Sequence, residues 1–245
     1  PLFSYNAILK LIKDKEIRVD GAKVGEDVVV NGGSVIRCYA KDMRLKEIYR
    51  DENILIVYKP KGLKSEGDIS AESILAEYEK GAILCHRLDT NTDGLLIFAL
   101  NVSAAEEIAK GFKNEKNENE ARVYGKVPSD AVYRDYLLKN AKEGKVRIFQ
   151  EKHAGAVPVE ANVRVIGYDK NSTLVEVVIH NGKTHQIRAQ LAAHGHFILG
   201  DGKYGRDDIN NKFGVKKQQL TAKKLVFSFD KGSFLYYLNS KKIAI

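Results

Sequence analysis

The chain has 245 residues, 44% of them hydrophobic and 29% charged, which excludes a chain disordered throughout and allows one large domain or a small plus a medium one. Lys and Arg number 40 against 32 Asp and Glu, a formal net charge of +8. That excess favours a polyanionic partner, nucleic acid before membrane, because no basic amphipathic anchor accompanies it. The longest apolar runs, Ile54 to Tyr58 and Gly94 to Leu100, fall short of the roughly 18 residues of a membrane span, and no basic-then-apolar leader is read at the amino terminus. Cys38 and Cys85 lack metal-finger or CxxC spacing, so they read as free thiols of a reducing compartment. A cytoplasmic location without membrane association is expected.

Residues 1 to about 41 read as a small unit. Ala7, Ile8, Leu11 and Ile12 share a helical face. Ile17-Arg18-Val19 then enters the turn Asp20-Gly21, followed by Val28-Val29-Val30, the turn Asn31-Gly32-Gly33 and Val35-Ile36-Arg37, a helix feeding two or three short strands. This pattern resembles the carboxy-terminal two thirds of the small RNA-binding module first known from ribosomal small-subunit protein four, opening without that module's first helix. The alternative is an ordinary amino-terminal β-extension. The charged stretch Lys41 to Asp51 is expected to be a lead-in.

Beyond it, strands are expected at Ile54–Tyr58, Gly94–Leu100, Arg122–Val127, Val163–Ile166, Leu174–His180, Lys224–Phe229 and Phe234–Leu238, and helices at Glu72–Glu79, Ser103–Phe112 and Thr184–His194. This is a mixed α+β pattern. The polar run Lys113–Glu120 is expected to be a surface connection.

Two constellations carry chemistry. Cys85-His86-Arg87-Leu88-Asp89-Thr90-Asn91-Thr92-Asp93-Gly94 places a His, an Arg and a carboxylate on a loop running into a buried strand, where catalytic groups are commonly held; Asp89 can equally be a turn-former. His180-Asn181-Gly182-Lys183-Thr184-His185-Gln186-Ile187-Arg188, with His194-Gly195-His196 behind it, reads as a strand end, a turn and a helix that Thr184 caps and Gly195 ends. The four histidines raise a metal site, but their spacing matches no established ligand pattern.

Taken together, His86-Arg87-Leu88-Asp89-x-x-Thr92-x-Gly94-Leu95, Lys183-Thr184-His185-Gln186-Ile187-Arg188 and Gly200-Asp201-x-x-Tyr204-Gly205 resemble the signature of the RluA-type RNA pseudouridine synthases. Lys59-Pro60-Lys61-Gly62-Leu63 is similar to the first motif of that family and Gln219-Leu220-Thr221-Ala222 to its last. The resemblance spans about residues 50 to 240. It implies a mixed, largely antiparallel central sheet with flanking helices in a catalytic domain at 42–245, beside a small α/β RNA-binding module at 1–41. It also implies conversion of uridine in RNA to its carbon-linked isomer, with Asp89 as nucleophile. The substrate is expected to be large-subunit ribosomal RNA, with transfer RNA as runner-up, and the enzyme a monomer. An isomerisation exchanges no electrons, so no cofactor and no metal are expected.

Burial disfavours an ionised carboxylate, so a fixed cation is needed beside Asp89. Arg188 matches the family's position for that ion pair, and its planar, permanently charged fork suits it. Arg87 matches a residue that fills the gap left when the uridine leaves its stack. His185, Gln186 and Leu220 are assigned to substrate, with structural hydrogen bonding the alternative for the first two; Gly200, Asp201 and Gly205 are expected to shape a turn.

Two positions depart from the pattern. Asp93 stands where the family usually has a small residue, Ser most often, and would repel Asp89 unless it points to solvent. The position of the family's uracil-stacking tyrosine, six residues before Gly125, is Asn119; either the loop is shifted in register, with Tyr124 or another tyrosine supplying the ring, or the chain lacks it. The rivals are therefore an RNA-binding protein with an inactive site and a metal hydrolase built on the histidine window.

Overall fold

A computed structural model of the chain describes residues 8, 11–38, 44–68, 70–111, 116–140, 142–180 and 182–245. Ala7, Phe112, Asn181 and parts of the expected segments 41–51 and 113–120 lie outside the described residues. Contacts divide the chain into Pro1–Leu45 and Lys46–Ile245.

The first unit is a three-stranded antiparallel sheet of β1 (Ile17–Val19), β2 (Ala22–Val24) and β3 (Ile36–Cys38), ordered β2-β1-β3. Asp20 and Gly21 both take positive φ, 50° and 84°, the primed turn that an Asp-Gly pair favours. The expected strand at Val28–Val30 does not form: those residues pair with nothing in the sheet and are exposed. The strand after the turn is β2, which follows without a gap and so closes the tightest hairpin.

The second unit is an eleven-stranded sheet. Its strands are β4 (Lys46–Arg50), β5 (Ile54–Lys59), β6 (Ile83–Leu84), β7 (Asp93–Ala99), β8 (Lys116–Tyr124), β9 (Ala131–Asn140), β10 (Lys145–Phe149), β11 (Val157–Asp169), β12 (Ser172–Ile179), β13 (Leu220–Val226) and β14 (Lys242–Ala244). The order is β10-β9-β11-β12-β8-β13-β7-β5-β4, with β14 on β13 and β6 on β7. Every pair is antiparallel except β7 with β13. The helices are α1 (Ala71–Ala76), α2 (Val102–Gly111), α3 (Gln186–Ala193) and α4 (Asp207–Lys212).

The mixed, largely antiparallel sheet agrees with the sequence expectation, and three local expectations are corrected. Lys116–Glu120 belongs to the central strand β8, where the carboxylates of Glu118 and Glu120 meet Lys224 and Lys223 of β13, so cross-strand charge pairs sustain a strand that composition disfavours. Phe234–Leu238 is not a strand; Tyr236–Ser240 is a 3₁₀ turn, and the Asn239 amide bonds both backbone groups of Phe229. The charged lead-in contains β4, paired with β5 as an edge strand.

The strands β5 and β7 are buried along nearly their whole length, which is why each reads as an unbroken apolar run rather than an alternation. One core packs β5, β7, α2 and the carboxy-terminal Phe227, Phe229 and Leu235. A second lies between β8, β11, β12 and α3. The two cores meet where β7 and β13 run parallel, through Asp93↔Thr221 and Gly94↔Ala222. There Gly94 has φ 124°, and a Cβ on it would stand 2.2 Å from the Ala222 carbonyl oxygen. Only glycine permits that approach. Gly94→Ala is expected to destabilise by about 3 kcal/mol or more, a fall in Tm of roughly 6–12 °C for a domain of this size; an unchanged thermal melt would contradict this contact.

Candidate active site

The loop between β6 and β7 carries Asp89 and is pinned on both sides of it. Burial pushes the His86 pKa down to about 4, so the ring is neutral, and its Nε2 accepts the Ile97 N–H at 3.1 Å. Leu88 donates its N–H to Ser65 Oγ and accepts the Ser65 hydroxyl on its carbonyl, both at 2.9 Å. The Thr90 carbonyl takes the Gly62 N–H at 2.8 Å and the Lys59 ammonium at 3.3 Å. Thr92 closes a turn onto the Asp89 carbonyl at 3.0 Å. Asp89 is thus a turn-former through its backbone, while its side chain lines a cleft of about 900 Å³.

Across that cleft, Arg188 stands in the first turn of α3. Its Nε and Nη2 hold the two oxygens of Asp201 at 2.7 and 2.9 Å, and its Nη1 reaches Asp89 Oδ2 at 2.7 Å. The side chains are 7% exposed for Arg188, 0% for Asp201 and 24% for Asp89. Burial opposes the charge on Arg188, yet its two carboxylates outweigh that and raise its pKa. Burial likewise favours a protonated Asp201, but Arg188 and the N–H groups of Lys203 and Tyr204 hold its pKa below the ordinary value. One buried guanidinium therefore bridges two carboxylates with charge-assisted bonds, and its fork is fixed by Asp201 before Asp89 is reached.

The expected cap of α3 is corrected: the N-cap is His185, with φ 55° and no side-chain cap bond, and Thr184 plays no such part. His185 lines the cleft with Nε2 3.9 Å from Asp89 Oδ2, and its Nδ1 is 2.9 Å from the Tyr204 hydroxyl. Burial, with Arg188 and Lys203 adding to it, lowers its pKa against the opposing pull of Asp89 and Asp201.

Arg87 lies at the cleft, exposed and paired with Glu66. Leu220 lines it from the start of β13. Gln186 borders it, but its amide is engaged internally, donating to the Glu160 carbonyl and Gln190 Oε1 and accepting the Lys183 N–H. Tyr124 is not brought to the cleft: its ring stacks on Phe197 with centroids 5.1 Å apart. Asn119 does line the cleft, 5% exposed. Five residues apart on one strand, Asn119 and Tyr124 project from opposite faces.

Asp93 does not point to solvent; it is buried, accepting the Tyr58 hydroxyl at 2.6 Å and the Thr221 hydroxyl at 2.8 Å, with the Lys61 ammonium 3.6 Å away. These partners satisfy its charge near Asp89. The histidines go separate ways: His194 pairs with Asp135 and His196 approaches the Tyr124 carbonyl. Among the described residues, no three His, Cys, Asp or Glu side chains gather as a metal site.

Lys59 and Tyr204 stand in the sequence only as parts of motifs, and Asp201, expected to shape a turn, also anchors Arg188. Lys59 is fully buried, with its ammonium on the carbonyls of Leu63, Pro60 and Thr90; burial pulls its pKa down to about 8 against the attraction of Asp93 and Asp89. A lysine directly after an apolar strand and before a proline was the available signal. For Asp201, the signal was a carboxylate within the stretch that follows Arg188.

The sheet and the loop that crosses it have the form of a pseudouridine synthase. The human RNA pseudouridylate synthase domain containing 1 superposes with a TM-score of 0.66 at 24% identity, covering 82% of this chain and 89% of that one. Human RNA pseudouridylate synthase domain containing 4 gives 0.63 at 20% identity, over 79% and 91%. The sequence model of the RNA pseudouridylate synthase family matches residues 53–193. An uncharacterized RNA pseudouridine synthase of Aquifex aeolicus is 30% identical over 84% of this chain and 73% of its own length. The ribosomal large subunit pseudouridine synthase C of Vibrio cholerae is 26% identical over 91% and 80%. The chain belongs to the RNA pseudouridylate synthase family and is an RNA pseudouridine synthase, an isomerase acting on uridine in RNA. No described helix is long and apolar enough to cross a membrane.

Proposed function

We propose that Asp89 is the nucleophile, that Arg188 holds it in place as its ion-pair partner, and that the substrate is ribosomal RNA of the large subunit, modified in the cytoplasm by a monomer whose residues 1–41 bind RNA and whose catalytic domain is 42–245. The observation that carries this reading is the 2.7 Å contact of Asp89 with a guanidinium already anchored on Asp201. The names of the relatives from Vibrio cholerae and from Nitrosomonas europaea, a ribosomal large subunit pseudouridine synthase D, support the substrate.

The chemistry is redox-neutral. Asp89 attacks, the bond from uracil N1 to the ribose breaks and the base turns; C5 then joins the ribose carbon, the bond to Asp89 breaks to return the free carboxylate, C5 loses its proton and N1 gains one. The uridine must first leave its stack, which costs a few kcal/mol. Exposed Arg87 can exchange Glu66 for the vacated space, and Lys64, Lys139, Lys183 and Lys203 at the cleft supply the charge that phosphates require. Mapping pseudouridine in cellular RNA with and without this chain tests the substrate. Loss of a large-subunit site on deletion is expected; loss confined to transfer RNA would replace the ribosomal assignment.

Asn119 at the cleft, where the family resemblance implies a stacking tyrosine, favours one second reading, an RNA-binding protein with an inactive site. A base–aromatic stack is worth roughly 1–3 kcal/mol, or about ten- to a hundredfold in rate at about 1.4 kcal/mol per decade. Asn119→Tyr is therefore expected to raise the single-turnover rate and barely change salt-dependent affinity. Tyr124→Ala, which empties a place beside Phe197, should lower Tm instead of the rate. A wild type that binds RNA and modifies no target establishes the second reading.

A further inference from the structure

Tyr204 lies beside both partners of Asp89. Its ring is 5.2 Å from the Arg188 guanidinium carbon and edge-on to His185, with centroids 5.6 Å apart. Its hydroxyl oxygen accepts the Val146 N–H at 2.8 Å and is 2.9 Å from His185 Nδ1. A phenol has one proton to give; with the Val146 N–H already on the oxygen, His185 Nδ1 is the partner at hydrogen-bond distance placed to take that proton. A neutral imidazole that accepts at Nδ1 carries its proton on Nε2, the nitrogen 3.9 Å from Asp89 Oδ2. The charged groups acting on this ring are Asp89 and Asp201, Arg188 and Lys203, and burial leads the effects that keep it neutral.

We propose that Tyr204 is a positioning residue that locks His185 in the Nε2–H tautomer, so that an N–H and not a lone pair faces the Asp89 carboxylate. The opposite tautomer would set a lone pair against an anion. A neutral donor supports the charged form of Asp89 without adding a second full cation to the pair it makes with Arg188. The backbone is built for this placement: His185 is held at φ 55°, a left-handed conformation uncommon for a non-glycine residue and frequent at functional sites. The turn from Lys183 to Gln186 fixes it through Gln186 N–H to the Lys183 carbonyl at 2.9 Å and Lys183 N–H to Gln186 Oε1 at 3.0 Å.

The catalytic consequence rests on Asp89 being the reacting carboxylate; the tautomer does not. In protein labelled with 15N-histidine, long-range 1H–15N correlation at pH 7.5 should show the His185 ring protonated on Nε2, and Tyr204→Phe should convert it to a mixture or to the Nδ1–H form. Single-turnover pseudouridine formation should fall about tenfold in Tyr204→Phe, with no further fall when that change is added to His185→Gln. A wild-type ring protonated on Nδ1, an unchanged Nε2–H signature in Tyr204→Phe, or losses that multiply in the double variant would overturn the proposal. An Nε2–H ring in a wild type that forms no pseudouridine overturns the role of Asp89 and leaves the tautomer lock standing, so the two failures read differently.

Discussion

Asp89→Asn is expected to reduce single-turnover pseudouridine formation by several orders of magnitude while leaving the fold and RNA affinity nearly intact. The change is close to isosteric and removes the anionic oxygen that attacks. The structure gives a reason for the mild cost to the fold. Arg188 keeps both of its bonds to Asp201, and the amide oxygen of the variant can still accept from Nη1. The loop is held by backbone bonds at Leu88, Thr90 and Thr92, none of which uses the Asp89 side chain. Thermal melting within a few degrees of wild type, unchanged binding and lost turnover are the expected set. Retained turnover would remove Asp89 from the nucleophile's place.

Arg188→Ala should be the most damaging substitution, because it strips the cation from two carboxylates at once. Asp201 is 0% exposed, and breaking a buried ion pair costs about 3–5 kcal/mol, or roughly 6–20 °C in Tm. The pH dependence of stability should weaken. In the wild type the Asp201 pKa is depressed, so its contribution is complete above the unfolded value near about 4 and is lost as pH falls through the lower folded value. Without Arg188, burial is opposed only by the N–H groups of Lys203 and Tyr204, so the Asp201 pKa rises from its wild-type position. Asp201 should then take up its proton at higher pH in the variant, and the acid-driven loss of stability of the wild type should shrink. The acidic limb of the pH–rate profile should move upward too, since a carboxylate without its cation holds its proton more tightly. Arg188→Lys should restore only part of the activity, as a point charge cannot bind Asp201 with two N–H groups and reach Asp89 with a third. Parallel pH curves for wild type and Arg188→Ala would deny the ion pair its assigned role.

Much of this architecture was legible in the sequence. The doubly buried β5 and β7 announce themselves as apolar runs, and the motif carrying Asp89 sits between them. Motif order also pointed Arg188 at Asp89, although the two are 99 residues apart. What local pattern misses is whatever depends on a neighbour across the sheet. Lys116–Glu120 reads as solvent loop until β12 and β13 flank it, with Glu118 meeting Lys224 and Glu120 meeting Lys223. Val28–Val30 carries strand propensity, yet the Asp20-Gly21 turn hands the pairing to Ala22–Val24. Asp93 looked like a liability because the hydroxyls that donate to its carboxylate, those of Tyr58 and Thr221, lie on two other strands. Tyr204 gains meaning through His185 and through Val146, which lies 58 residues before it. Spacing records what is near along the chain, and these contacts are made by register and topology.

The central claim is that Asp89 of this chain drives exchange of the uracil C5 bond. The most direct measurement is release of tritium from [5-³H]uridine-labelled ribosomal RNA incubated with purified protein, wild type beside Asp89→Asn, both checked for equal folding and RNA binding. The account predicts release in proportion to the modified uridine by the wild type and none by the variant. Release by both, or by neither on any RNA offered, would contradict it.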